Sequence, residues 1–346
     1  MSTDIIKTDA LIIGAGPCGL FQVFELGLLG IDCHILDSLP VVGGQCAELY
    51  PDKPIYDIPG IPVCSGEELI EGLMKQIEPF DATFHLGEEV LEVRAQDEGG
   101  FFVKTAKDTT FDAKTIFVAG GVGSFQPRRV RLADLEDFED TNMHYRVRNP
   151  KQFAGKDIVI LGGGDSALDW AVALAEDAKS MTIVHRRPEF RGAQATVDQL
   201  MKLCDTGKAR FVEGKIKAFE NDGSRVTAVT IATNAGEDID LPVDALMAFF
   251  GLAPKLGPIA EWGLDLNRKT VNVDTEKFET NIPGIFAIGD INYYPGKKKL
   301  ILSGFHEAAL AAFAAKAVIE PGKKVHLQYT TTSPKMHERL GVETEN

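Results

Sequence analysis

Two glycine-rich turns in this chain are each followed, at the same distance, by side chains of opposite charge. The first, GAGPCG, places Gly14, Gly16, Pro17, Cys18 and Gly19 behind the apolar run 10–13, and Asp37 comes 23 residues after Gly14. The second, GGGDSA, places Gly162, Gly164, Asp165, Ser166 and Ala167 behind the run 158–161, and 23 residues after Gly162 comes His185, then Arg186 and Arg187. Each segment reads as strand, tight turn, helix, strand. Such a βαβ unit brings backbone N–H groups against a pyrophosphate at a helix N-terminus, and the residue ending its second strand meets the adenosine ribose. One glycine turn alone says little, but two in matched context restrict the chain to a fold with two dinucleotide-binding units.

The charges then sort the nucleotides. Asp37 accepts hydrogen bonds from a free 2′-hydroxyl and repels a 2′-phosphate, whereas Arg186 and Arg187, joined by Arg191, pair with a phosphate through their guanidinium forks. The first turn therefore reads as an FAD site and the second as an NADPH site. His185 reads as a strand-end residue near the adenosine, not as a catalytic group. An exposed salt bridge is the competing reading of Arg191.

The chain has 346 residues, enough for two domains with separate cores, and its 44% hydrophobic and 25% charged content is that of a soluble globular protein. A formal charge of -15 argues against general affinity for nucleic acid or an anionic membrane. The five cysteines, Cys18, Cys33, Cys46, Cys64 and Cys204, show neither CxxC nor zinc-ligand spacing, so neither a disulfide scaffold nor a metal site is expected. They read as reduced thiols of a cytoplasmic protein. Residues 1–9 contain no apolar core of a signal peptide. The apolar stretch 308–319 contains Lys316, is too short for a bilayer and reads as a packed helix.

Along the chain, strand 10–13, helix 21–29 and strand 33–36 form the first βαβ unit, followed by strands at 90–95, 101–105 and 115–119. The last ends in Gly120, Gly121 and Gly123, a cluster suited to a backbone crossing between domains. The second unit continues with helix 167–176, strand 181–184 and a hairpin at 212–219 and 226–233. The run 245–250 before GLAP echoes 115–121 and marks the return. The segment TNIPGIFAIGD, 280–290, then offers Asp290 to the flavin's ribitol or phosphate, with a helix N-cap as its ordinary role. The expected fold is α/β, with two Rossmann-like three-layer dinucleotide-binding domains, the NADPH domain (122–251) inserted in the FAD domain (1–121 and 252–320), and an extension at 321–346.

These residues resemble the flavoprotein reductases with two dinucleotide domains, and HRRPEFR at 185–191 is similar to the NADPH-binding sequence of low-molecular-weight thioredoxin reductases. Those enzymes carry a CxxC before the second glycine turn, where this chain reads NMHYRV at 142–147. In the glutathione-reductase branch the redox pair follows a Gly-Gly pair; Cys46 sits suitably after Gly43-Gly44, but Pro51 stands in its partner's place. A dithiol relay cannot be built at either position. The segments GQCAELYPDKPIYD (44–57) and YPGKKKLILSG (294–304), with the extension after Pro321, resemble instead the thioredoxin-reductase-like ferredoxin-NADP reductases.

That resemblance implies a homodimer with FAD and NADPH as cofactors and ferredoxin or flavodoxin as partner. It implies that Tyr50 stacks on one face of the flavin and that Tyr329, from the partner subunit's extension, covers the other, with Thr331 and Ser333 near the ring. The competing reading of each tyrosine is a core or interface side chain. Gly44, Gln45 and Cys18 are expected beside the FAD pyrophosphate and ring. Without a dithiol the flavin takes hydride and passes electrons on singly, which is a matter of positioning and needs no general base. Arg128, Arg129, Arg131, Arg146, Arg148 and Lys297 to Lys299 are the basic groups that could steer an acidic partner, although charge runs are commonly plain solvated faces. The alternatives are a disulfide reductase or oxidase served by an external dithiol protein, and a non-catalytic flavoprotein that senses NADPH.

Overall fold

A computed structural model describes residues 5–342 apart from Asp140 and Arg148. The chain divides into two compact units, one running up to Ser124 and resuming at Pro254, the other spanning Phe125–Ala253.

The first unit begins with β1 (Ile6–Ile13), α1 (Pro17–Leu28) and β2 (Cys33–Asp37). The short α2 (Gln45–Leu49), α3 (Gly66–Ile77), β3 (Thr83–Leu86), β4 (Val90–Ala95), β5 (Phe101–Thr105) and β6 (Thr110–Val118) follow. β1 pairs in parallel with β2 and β6, and β2 with β3. The β1 side chains alternate as a strand requires: Ala10 and Ile12 enter the core under α1 and α3, while Leu11 and Ile13 enter the opposite core with Val103 and Phe111. A parallel sheet covered on both faces is the outcome such an uninterrupted apolar run dictates. The first half of β6 also pairs antiparallel with β5, and β5 with β4, which supplies the third layer.

The chain leaves through β7 (Ser124–Pro127) and enters the second unit. There it forms β8 (Met143–His144), β9 (Asp157–Gly162), α4 (Asp165–Ala175), β10 (Ser180–His185) and α5 (Gln194–Asp205). β11 (Arg210–Asn221), β12 (Val226–Thr233), β13 (Asp238–Pro242) and β14 (Ala245–Phe249) complete it. The sheet order is β13-β12-β11-β10-β9-β14-β8, parallel from β11 to β8 and antiparallel beyond β11. Again β9 divides its side chains: Ile158 and Ile160 pack with α4, Val159 and Leu161 with the antiparallel strands.

β15 (Leu252–Lys255), paired with β7, leads back. The returning segment adds β16 (Leu266–Asn267), β17 (Thr270–Asn272), β18 (Ile285–Ala287), β19 (Asn292–Tyr293), α6 (Ile301–Ile319) and α7 (Pro334–Arg339). β18 joins the first unit's sheet beside the second half of β6, giving the parallel order β3-β2-β1-β6-β18. The sequence expectation of a late helix at 308–319 needs correction. α6 starts at Ile301, has 19 residues and is long and apolar enough, by length and composition, to cross a membrane. Gly304 and Glu307 hide its first turns from a reading by hydropathy, yet both are buried inside the unit.

Candidate functional site

In the first unit the chain leaves β1 through Gly14 at φ +116°, where an added Cβ would stand 2.4 Å from the Ala119 carbonyl oxygen. Gly19 lets α1 rest on that turn, since a Cβ there would fall 1.8 Å from Gly14 O. Gly16 precedes α1 with no side chain to cap it, and Pro17 opens the helix without an N–H. The amides of the first turn thus have no side-chain acceptor and face an approach that no Cβ obstructs, which fits a pyrophosphate. A second glycine turn lies against the first: Gly43 N donates to Ala15 O at 2.8 Å, and a Cβ on Gly44 would come within 3.1 Å of Gly16 Cα.

Asp37 ends β2, its Oδ2 accepting from Ala15 N at 2.7 Å and its Oδ1 from Leu39 N at 2.8 Å. The carboxylate therefore braces the turn, and each oxygen keeps lone-pair capacity for a further donor such as a hydroxyl. Burial pushes its pKa up while the two backbone hydrogen bonds pull against that.

Gln45 Nε2 donates to Asp290 Oδ2 at 3.2 Å, joining the start of α2 to the segment after β18. Asp290 does not cap a helix: it lies within the 3-10 turn Gly289–Ile291, and Ile288 occupies the cap position. The Cys46 thiol donates to the Tyr50 hydroxyl at 3.7 Å, and burial pushes the pKa of both groups up. Cys18 Sγ fills a notch between Gly289 and Gly304, where Cβ atoms would come within 3.0 and 2.2 Å of it. Burial pushes that thiol up to about 12, so it packs and does not titrate.

The second unit repeats the turn with one further constraint. Gly162, at φ +156°, has no room for a Cβ beside Phe249 O at 2.6 Å. At Gly163 a Cβ would meet the His185 ring at 2.5 Å. Gly164 opens α4 with nothing within 4 Å of its Cβ position, so this turn too is clear at a helix N-terminus. Asp165 Oδ1 accepts from Ala193 N at 2.9 Å and Arg191 N donates to Gly163 O at 2.7 Å, which ties the 185–193 loop to the turn. Ser166 is exposed in the first turn of α4, and Ala167 is buried beneath it.

His185 stacks on Phe190 with centroids 5.7 Å apart, and its Nε2 is buried without a partner. Its pKa is lowered by burial and then by Arg186, Arg187 and Arg191. All three arginines are exposed, and among the described residues none of them has a carboxylate partner. Three exposed guanidiniums beside one imidazole, with no carboxylate partner among the described residues, are chemically suited to pairing with a multiply charged anion.

The sequence matches the pyridine nucleotide-disulphide oxidoreductase family over residues 52–289. It is 61% identical over 343 residues to a ferredoxin--NADP reductase of Methylibium petroleiphilum, covering 98% of this chain and 94% of that protein. The chain belongs to this family. A ferredoxin--NADP reductase of Albidiferax ferrireducens is 59% identical over 345 residues, 99% of this chain and 98% of the relative. Among solved structures, the thioredoxin reductase of T. acidophilum superposes with a TM-score of 0.71 at 24% identity, over 90% of this chain and 98% of that one, and shares the fold.

Unlike the disulphide enzymes in the family's description, this chain has only free thiols, and burial raises the pKa of all five. The extension is anchored on its own unit: Ser333 caps α7, Met336 is buried, and Arg339 donates to the Leu28 carbonyl at the C-terminal end of α1. Tyr329 is 65% exposed and Thr331 is exposed; neither bonds to the Gly14–Gly19 turn among the described residues.

Two of the proposed steering cations are spent internally. Lys297 is buried in an ion pair with Glu307, and Arg129 pairs with Glu139 and lies 4.7 Å from the Tyr145 ring centre. Lys298, Lys299 and Arg131 are exposed, and Arg148 lies outside the described residues. Glu307 is the site residue that sequence reasoning missed. An isolated acid in an otherwise apolar helix, ten residues after a lysine, was the available signal.

Proposed function

We infer that this chain is a ferredoxin-NADP reductase that carries FAD on its first unit and binds NADPH on its second. The carrying observation is the contrast between the two βαβ ends: an acid braced by backbone amides at Asp37, and three guanidiniums at Arg186, Arg187 and Arg191 without a carboxylate partner among the described residues. About 60% identity to ferredoxin--NADP reductases across nearly the whole chain supports the same reading.

When bound, FAD supplies a ring that accepts two electrons as hydride and gives them up singly. The chain's part is to bind and orient. Gly14, Gly16, Pro17, Cys18 and Gly19 present the α1 amides to the FAD pyrophosphate, Asp37 accepts from the ribose hydroxyls, and Gly44, Gln45 and Asp290 close the site from the other side. Tyr50 provides one stacking face. Tyr329, exposed in its own chain, provides the other to the partner subunit of a homodimer, with Thr331 beside it. In the second unit Gly162, Gly164, Asp165, Ser166 and Ala167 shape the pyrophosphate turn, His185 packs against the adenosine, and the three arginines take the 2′-phosphate. No residue moves a proton in the transfer. Ferredoxin or flavodoxin receives the electrons, and the enzyme works as a cytoplasmic dimer.

The test is NADPH-dependent cytochrome c reduction with and without added ferredoxin. Reduction that requires ferredoxin is expected. Reduction of a disulfide dye only with an added dithiol protein, or a yellow protein that NADPH does not bleach, would overturn the assignment.

A further inference from the structure

Glu307 is fully buried, and the Lys297 side chain is 4% exposed. The carboxylate gathers four donors from a single stretch of chain. Gly289 N and Asn292 Nδ2 donate to Oε2 at 2.7 and 2.8 Å, while the Tyr294 hydroxyl at 3.0 Å and Lys297 Nζ donate to Oε1. The whole turn after β18 is thereby fastened to one point on α6. That turn begins at Gly289, whose φ of +75°, with only 3.0 Å between an added Cβ and Cys18 Sγ, calls for glycine there. The next residue is Asp290, held by Gln45.

We propose that the Glu307–Lys297 pair is a positioning unit for the flavin: by gripping Gly289 N it fixes where Asp290 stands, and so sets how firmly FAD is retained. This rests on the assignment of FAD to the first unit. Burying two charges is costly, and an apolar pair of equal volume commonly stabilises a core as well or better. Stability alone therefore gives no reason for the pair. A carboxylate does what an apolar group cannot, because its two oxygens orient four donors at once. Lys297 neutralises it without taking the lone pairs used by Gly289 and Asn292.

The experiment is a double-mutant cycle on the holoenzyme, following FAD release on dilution by the rise in flavin fluorescence. K297M/E307Q is expected to speed release about tenfold in the natural chain but less than about threefold when Asp290→Ala is already present. Equal acceleration in both backgrounds would show a general structural role, and no acceleration would remove the pair from the site; either result overturns the proposal. Should K297M/E307Q fail to fold, Glu307→Asp keeps the charge beside Lys297 but shortens its reach to Gly289 N, and must show the same dependence on Asp290. NADP⁺ affinity, measured by titration, should not change. If the natural chain holds no FAD, the functional assignment itself fails; if it holds FAD and the cycle is additive, only this inference does.

Discussion

Arg186, Arg187 and Arg191 are exposed beside His185, whose pKa is lowered first by burial and then by their charges. Each charged hydrogen bond lost to a phosphate is worth roughly 1.5 to 3 kcal/mol. Arg186→Glu is therefore expected to raise the KM for NADPH by one to two orders of magnitude or so. Steady-state kinetics with NADPH and NADH checks this, and an unchanged preference would remove the basis of the assignment. The glycines act at the same scale. Gly163 is not a spare residue in the turn, because its missing Cβ is the space that the His185 ring fills.

Helix termini decide much at the scale of elements. The sequence reading passed over α3, although Ser65 and Glu68 form a full capping box: Ser65 Oγ accepts from Glu68 N at 3.1 Å, and Glu68 Oε2 accepts from Ser65 N at 2.7 Å. Ser65→Ala should lower the unfolding free energy of the first unit by about 1 kcal/mol, read from the urea midpoint at constant slope. α1 and α4 are different, since no side chain caps either one. Leaving those N-termini bare forgoes a similar amount of stability at each and leaves their first-turn amides open to an anion. At its other end α1 is served by Arg339, whose charge also complements the helix dipole there.

The whole molecule carries a net charge of -15, so an acidic partner meets general repulsion and needs a local basic surface. With Lys297 and Arg129 engaged internally, Lys298 and Lys299 are the exposed cations of the KKK run. The rate of ferredoxin reduction should fall as ionic strength rises, and Lys298→Glu with Lys299→Glu should lower kcat/KM for ferredoxin while leaving that for NADPH unchanged. Stopped-flow measurement across a salt series tests both. The same charge reversal at Lys297 would instead place two buried carboxylates side by side and disrupt the fold.

Local pattern settled the two βαβ units. The apolar runs, the glycines at fixed spacing and the charge after each second strand follow from short-range geometry: a turn without Cβ atoms, a strand with period two, a ribose one strand away. The hairpin of β11 and β12 was legible for the same reason. Long-range packing decided the rest. Whether Lys297 faces water or Glu307, whether Asp290 caps a helix or meets Gln45, and where α6 begins all depend on segments brought together from far apart in the chain. A lysine looks the same in sequence whether solvated or buried, and only the carboxylate that the fold places beside it determines which it is.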